Sequence, residues 1–205
     1  MRIGSGGFGE VYKGMLPDKT TVAGKQEFCT EIAVIGNIHH VNLVKLRGFC
    51  VQGSKRLLVY EFMNRGSLDR PLFATVGSLV LEWGERVEIA LGTLWGLAYV
   101  HGGCDHKIIH CDVKSENILL GDHSQVKISD FGLSKLLAPE QSTLFTTMRG
   151  TRGYLAPEWL TNSAISDRTD VYSYGMVLLE IVHGRKNCVI VRHTDDADLG
   201  GRGKI

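Results

Sequence analysis

Along residues 1–61 the apolar positions come in short runs broken by polar punctuation. Gly9–Tyr12, Thr20–Ala23, Val44–Phe49 and Leu57–Glu61 read as strands, and the turn Leu16-Pro17-Asp18 sits between two of them. Gln26–His39 has helical spacing instead. Phe28, Ile32, Ile35 and His39 share one face, with Glu31 among them. A carboxylate on a core-facing stripe needs a partner, because an unpaired buried charge is costly. From residue 64 the rhythm lengthens. Glu85–His101 carries apolar positions 87, 90, 91, 94, 97 and 98, a helix stripe. Ile108–Ile128 alternates short β runs with polar loops. Asp130–Glu158 reads as one long loop rich in Thr and Gly, of the kind that usually carries function. Thr169–Val182 is apolar almost all round and predicts a central buried helix. Residues 189–205 lose periodicity and end Gly-rich, which predicts a loose tail. Trp83, Trp95 and Trp159 are expected to serve packing.

Composition narrows the classes. The chain has 205 residues, 43% hydrophobic and 22% charged, which excludes a disordered tail, a collagen-like repeat and a membrane-embedded protein. Lys and Arg total 23 against 22 Asp and Glu, so there is no basic field for nucleic acid. Five cysteines stand without a Cys-x-x-Cys pair, which reads as reduced thiols. No 18-residue apolar run occurs, so no membrane segment is expected; the richest stretch, Val171–Val182, contains Ser173 and Glu180. The N-terminus lacks the apolar stretch of a signal peptide.

Several short motifs carry chemistry. Gly4-Ser5-Gly6-Gly7-Phe8-Gly9 fits G-x-G-x-x-G, where glycines let backbone approach phosphates. Glu10-Val11-Tyr12-Lys13-Gly14 then continues as strand, so the loop is a hairpin tip and not the start of a nucleotide-binding helix. Lys25 follows on the next strand, where a lysine can hold phosphates; by itself it reads equally as an ordinary surface lysine. His110-Cys111-Asp112-Val113-Lys114-Ser115-Glu116-Asn117 supplies an Asp, a Lys two residues on and an Asn five residues on. Asp130-Phe131-Gly132 begins thirteen residues after Asn117, and Ala156-Pro157-Glu158 closes the long loop. An Asp to accept a hydroxyl proton, a Lys to neutralise a phosphoryl group and an Asn/Asp pair for Mg²⁺ are the parts that phosphoryl transfer requires.

With these motifs the chain resembles a eukaryotic protein kinase domain. It resembles more closely the plant receptor-like serine/threonine kinases of the S-domain (G-type lectin) group, through EFCTEIAVIGNIHHVNLVKLRGFC, LLVYEFMNRGSL, KIIHCDVKSENILL, KISDFGLSKLL, FTTMRGTRGYLAPEW and DVYSYGMVLLEIV. The resemblance implies a two-lobe α+β fold. Residues 1–63 would form a small β-sheet lobe with one helix and the hinge, and 64–188 an incomplete, mostly helical lobe. Residues 189–205 would lie outside the family pattern. It implies ATP and Mg²⁺ as cofactors and protein Ser/Thr hydroxyls as acceptors, in a region that is cytoplasmic in a parent plasma-membrane receptor. Ile3 and Gly4, Ser5, Gly6, Gly7, Phe8 and Gly9 would cover the phosphates. Val11, Ala23 and Leu119 would sandwich the adenine, Glu61 and Met63 would offer it backbone groups, and Tyr60 would be the gatekeeper. Lys25 would pair with Glu31. Asp112 would be the catalytic base, Lys114 would steady the γ-phosphate, and Asn117 and Asp130 would hold the metal. Ile35, Leu46, His110 and Phe131 would stack as a spine anchored by Asp170. Thr146, Thr147 and Thr151 are the candidate phosphorylation sites of the long loop.

Three features depart from that pattern. Glu31 follows Lys25 by only six residues, which predicts a strained or broken pair. After Gly184 the family's further helices have no counterpart, which leaves Glu158 without its arginine and part of Thr169–Val182 without cover. Cys111 stands beside Asp112 where many kinases carry the Arg that receives a phosphorylated loop, and Ser115 replaces a usual Pro. Other chemistry is weaker. His101, Cys104, His106, His110 and Cys111 match no tetrahedral zinc spacing, and Cys111 reads as an inert thiol. The alternatives are a nucleotide-binding pseudokinase that serves as a scaffold, and a non-functional fragment of a longer receptor kinase.

Overall fold

The computed structural model describes residues 1–6, 9–16, 18–25, 29–36, 38–53, 55–74, 81–161 and 163–187. Five strands form the first layer: β1 (Arg2–Gly6), β2 (Gly9–Met15), β3 (Thr21–Lys25), β4 (Leu46–Gln52) and β5 (Lys55–Glu61). They pair antiparallel in the order β1-β2-β3-β5-β4. The β1–β2 hairpin closes at Gly6 opposite Gly9, so the glycine motif is a hairpin tip as its sequence context predicts. Gly7 and Phe8 lie outside the described residues.

One helix, α1 (Cys29–Ile35), follows β3 and packs toward the 3₁₀ turn Phe131–Leu133. It is shorter than the predicted span Gln26–His39. It stops just before Gly36, and Ile38–His40 is irregular, with His39 exposed. The buried face is therefore Glu31, Val34 and Ile35, and the predicted His39 position is not on it.

The second part holds α2 (Asp69–Leu72), α3 (Trp83–Gly102), α4 (Pro157–Leu160) and α5 (Asp167–His183). With them come β6 (Gly66–Ser67), β7 (Lys107–Ile109), β8 (Ile118–Leu120), β9 (Val126–Ile128) and β10 (Lys135–Leu137). Strands β6, β8 and β9 form one small sheet, and β7 pairs with β10 inside the stretch expected to be all loop.

The packing face of α3 differs from prediction. Val87, Leu91 and Leu94 are exposed, and the buried residues are Ile89, Gly92, Thr93, Gly96, Leu97 and Val100. The helix presses its small-residue face onto β9. A Cβ built on Gly92 would lie 2.9 Å from Val126 Cβ, and one on Gly96 would lie 2.9 Å from Ile128 Cδ1. Close backbone approach decided the orientation, and the bulky stripe was left outside. Trp83 and Trp95 are 61% and 55% exposed and do not pack as expected, whereas Trp159 is buried.

Helix α5 starts on a capping box. Ser166 Oγ accepts from Arg168 N–H, and Ser166 N–H donates to Thr169 Oγ1. It ends at Gly184, whose φ of 65° suits glycine. Val177 and Ile181 are buried, but Val171, Tyr172, Leu179 and Val182 are exposed, so the helix is covered on one side rather than all round. None of the described helices is long and apolar enough to cross a membrane.

The two parts share one apolar core. Val34, Ile35, Leu58 and Tyr60 pack with Leu97, Ile108, Ile128, Phe131 and Val177. Each such fully buried aliphatic side chain contributes ~1.5–3 kcal/mol of transfer free energy. Backbone bonds fasten the seam: Val44 N–H donates to Ile128 O at 2.9 Å, and Ile128 N–H to Asn42 O at 2.8 Å.

Candidate active site

A cleft of about 600 Å³ opens between the five-stranded sheet and the β6-β8-β9 sheet. Its walls include Ile3, Val11 and Ala23 from the large sheet and Leu119 from β8. Tyr60, Glu61 and Met63 line the connection between the two. At its inner end stand Glu31, Lys114, Asn117 and Asp130. An apolar slot ending in carboxylates, an amide and an ammonium suits a flat aromatic ring carrying an anionic, metal-bound tail.

The loop after β7 supplies the polar end. Asp170, fully buried on α5, reaches up to grip it. Its Oδ2 accepts from His110 N–H at 2.7 Å and lies 2.8 Å from His101 Nε2; its Oδ1 accepts from Cys111 N–H at 2.9 Å. Cys111 is held at φ 66°, a left-handed conformation that costs a non-glycine residue about 1–2 kcal/mol. The grip offsets that cost and sets Asp112 against Lys114 and Asn117, which line the cleft. Asp112 N–H donates to His110 Nδ1 at 3.2 Å, which leaves the ring proton on Nε2 to donate to Ser129 O at 3.0 Å. The same ring meets Phe131 edge-on, with centroids 4.7 Å apart.

Asp112 is 4% exposed, and its oxygens are fully engaged. Oδ2 accepts from Lys114 Nζ at 2.7 Å and from Asn117 Nδ2 at 3.1 Å. Oδ1 accepts the Thr151 hydroxyl at 2.7 Å, and Lys114 Nζ also donates to Thr151 Oγ1 at 2.7 Å. A carboxylate, an ammonium and a threonine hydroxyl thus form a closed triangle. Asn117 spends its amide donors on Asp112, which turns its carbonyl oxygen to other use. Asp130 adopts φ 67° at the mouth of a short 3₁₀ turn, Phe131–Leu133. Asn117 and Asp130 line the cleft together, and the oxygen donors they offer suit a hard divalent cation.

Glu31 has the partner its sequence position demanded. It is 1% exposed, and its Oε1 accepts from Phe131 N–H at 3.1 Å. The side chain of Lys25 lies outside the described residues, and the expected Lys25–Glu31 pair lies there with it. Ile35, Leu46 and Phe131 belong to the shared core beside His110. Thr151 spends its hydroxyl on Asp112 and Lys114, while Thr147 is exposed and Thr146 half-buried. Among the described residues the Glu158 carboxylate has no ion pair, and no group of three or more His, Cys, Asp and Glu is arranged to hold a metal ion. Burial, and then the charge of Asp170, push the Cys111 thiol far above its ordinary value, so it is inert as expected.

Two buried charged groups escaped the sequence reading. Lys127, 6% exposed on β9, pairs with Glu61 at 2.9 Å and donates to Leu43 O at 3.2 Å, which ties the connection between the sheets from below. Glu180 lies fully buried in α5 and accepts the Tyr154 hydroxyl at 2.8 Å; Tyr154 OH is also 3.2 Å from Ser115 Oγ. Burial pushes that hydroxyl well above its ordinary value. The signal for both was a lone charge within an apolar run.

Comparison with known proteins agrees with this geometry. The protein kinase domain profile matches residues 1–199. A G-type lectin S-receptor-like serine/threonine-protein kinase of Arabidopsis thaliana is 71% identical over 198 residues, 92% of this chain and 23% of the relative. G-type lectin S-receptor-like serine/threonine-protein kinase SD2-5 of the same plant is 58% identical over 197 residues, 91% of this chain and 24% of the relative. The similarly named LECRK4 of Oryza sativa subsp. indica is 49% identical over 197 residues, 90% of this chain and 24% of the relative. The chain spans about a quarter of the length of these curated relatives.

Proposed function

This chain belongs to the protein kinase domain family, and from that premise we propose that it transfers the terminal phosphoryl group of Mg-ATP to Ser and Thr hydroxyls of proteins. The observation that carries the reading is the triangle of Asp112, Lys114 and Thr151, with a hydroxyl seated 2.7 Å from the carboxylate. An acceptor Ser or Thr presents the same group to the same oxygen. Asp112 Oδ1 orients that hydroxyl and receives its proton. Lys114 supplies positive charge beside it, and Asn117 holds the carboxylate in place through Oδ2. Bound between Asn117 and Asp130, Mg²⁺ would neutralise phosphate charge. Val11, Ala23, Leu119 and Met63 keep water from the aromatic end of the cleft. The presence of Asp112, Lys114, Asn117 and Asp130 together favours an enzyme over a scaffold.

The relatives' names support a further reading: the chain corresponds to a cytoplasmic region of a plasma-membrane receptor, acting on protein substrates in signalling.

Thermal unfolding with and without Mg-ATP tests the cleft. Nucleotide at 100 times its dissociation constant adds about 2.7 kcal/mol. That raises the melting temperature of a chain this size by roughly 5–10 °C. Asp130→Asn should remove the Mg²⁺-dependent part of the rise. A melt blind to Mg-ATP, or a chain that moves no phosphate to a Ser/Thr peptide, contradicts the reading.

A further inference from the structure

Strand β1 stands at one edge of the five-stranded sheet, and its Ile3 lines the cleft. The register between β1 and β2 shifts there. Arg2 pairs with Tyr12 and Gly4 with Val11, so Ile3 is the extra residue of a bulge. Such a residue falls outside the regular ladder, and its backbone groups look elsewhere for partners. The Ile3 carbonyl finds one on the opposite wall. Arg70, in the last turn of α2, donates from Nη2 to Ile3 O at 3.4 Å. The side chain gets there by running over Gly66: a Cβ built on that residue would lie 3.7 Å from Arg70 Cδ and 3.6 Å from its Nη1. Gly66 and Arg70 line the cleft as well. The contact thus joins the helical part to the strand that leads into the glycine hairpin tip. It is a light contact, since the bond is long and Arg70 is exposed. The inner seam is fastened differently, by shorter backbone pairs such as Val44 N–H to Ile128 O at 2.9 Å. The cleft has a firm back and a rim held by a bond weak enough to open.

We propose that Arg70 is a latch on this cleft: its bond to Ile3 opens for an adenine nucleotide to enter or leave and closes again over the bound one. The proposal rests on the nucleotide site of the kinase reading and adds how traffic through that site is controlled. Arginine suits the task. Its guanidinium is weakly hydrated for a cation, and its long stem lets the head reach a carbonyl across a gap. The acceptor is a backbone oxygen, so no change of the Ile3 side chain removes it and the donor is the lever. Neither group has to touch the nucleotide for the bond to form. The bond therefore contributes equally to the free and the bound cleft and cancels from the affinity. It does not cancel from the rates, because passage in either direction breaks it first. A latch of this kind slows entry and exit by the same factor.

The test uses the full chain. Stopped-flow fluorescence with N-methylanthraniloyl-ADP and Mg²⁺ reads the rates, and calorimetry with unlabelled Mg-ADP and with adenosine reads the affinities. Arg70→Met keeps an unbranched stem and removes the donor. It should raise the association and dissociation rates together by about fivefold and leave both dissociation constants within about twofold of the original. Arg70→Lys keeps a donor on a shorter head and should fall between the two. Both variants should melt with the original chain, because Arg70 is exposed. Unchanged rates in Arg70→Met overturn the latch and leave the nucleotide site standing. So does a loss of Mg-ADP affinity that spares adenosine, which makes Arg70 a phosphate ligand instead. An equal loss for both ligands overturns it too, since Arg70 is then part of the nucleotide's seat. An original chain that binds neither ligand contradicts the kinase reading itself, and the latch with it.

Discussion

Replacing Asp170 by Asn removes one acceptor oxygen from a side chain that has none to spare. Asp170 is fully buried; its Oδ2 takes His110 N–H at 2.7 Å and sits 2.8 Å from His101 Nε2, and its Oδ1 takes Cys111 N–H at 2.9 Å. An amide keeps one oxygen and turns its NH₂ toward a backbone N–H. Whichever way it flips, a buried donor faces a donor. A hydrogen bond to a charged group contributes ~1.5–3 kcal/mol, and the stranded N–H adds its own desolvation, so the loss should be about 3–5 kcal/mol. For a chain this size that lowers the melting temperature by roughly 6–20 °C. The damage should also be local. Without the grip, Cys111 relaxes from φ 66° and carries Asp112 with it. Urea unfolding measures the first effect, provided the slope is unchanged. Phosphate transfer at a temperature where the variant is folded measures the second, and should fall by more than tenfold. A cost under ~1 kcal/mol with transfer intact would refute the claim that Asp170 sets the catalytic loop.

The same contacts carry other consequences. Gly96→Ala should cost about 1–3 kcal/mol in a urea melt, because its Cβ would meet Ile128 Cδ1 at 2.9 Å and Asn42 O at 3.0 Å. Ellman's reagent followed by peptide mapping should label exposed Cys50 quickly and Cys111, 6% exposed, only on unfolding. The Lys107 ammonium, 2.6 Å from Asp167, holds that carboxyl below the usual carboxylate range. A depressed folded value stabilises above the unfolded value near ~3.9 and is lost as pH falls through the folded value. Asp167→Asn should therefore cost up to ~1 kcal/mol at neutral pH and nothing at about pH 2, and a gap that persists at acid pH contradicts the assignment.

What could be read from the chain, and what could not, divides along physical lines. Strands β2 to β5, the hairpin tip and the gathering of Asp112, Lys114, Asn117 and Asp130 were legible because order and spacing carry them, whereas β1 and β10, in Gly-rich and loop-like stretches, were not. The face of α3 was not. Periodicity weights large apolar residues, and this helix packs through Gly92 and Gly96, whose value lies in letting backbones approach. Trp83 and Trp95 misled for the same reason, since size favours burial only where a partner surface is present. The early stop of α1 was written in Gly36 but was outweighed by the helical spacing that put His39 on the same face. Lys127 and Glu180 needed three dimensions, because their partners Glu61 and Tyr154 lie on other elements. Lys186 is the extreme case. Nothing in its own neighbourhood of sequence says that it returns to Glu116, 70 positions earlier.

The most direct measurement is transfer of labelled γ-phosphate from Mg-ATP to a protein or peptide bearing Ser and Thr, with the product hydrolysed to identify the modified residue. The chain should yield phosphoserine and phosphothreonine. Asp112→Asn should bind Mg-ATP as before and lose transfer by ~10²-fold or more. Transfer that survives Asp112→Asn undiminished, or label found on residues other than Ser and Thr alone, would contradict the account.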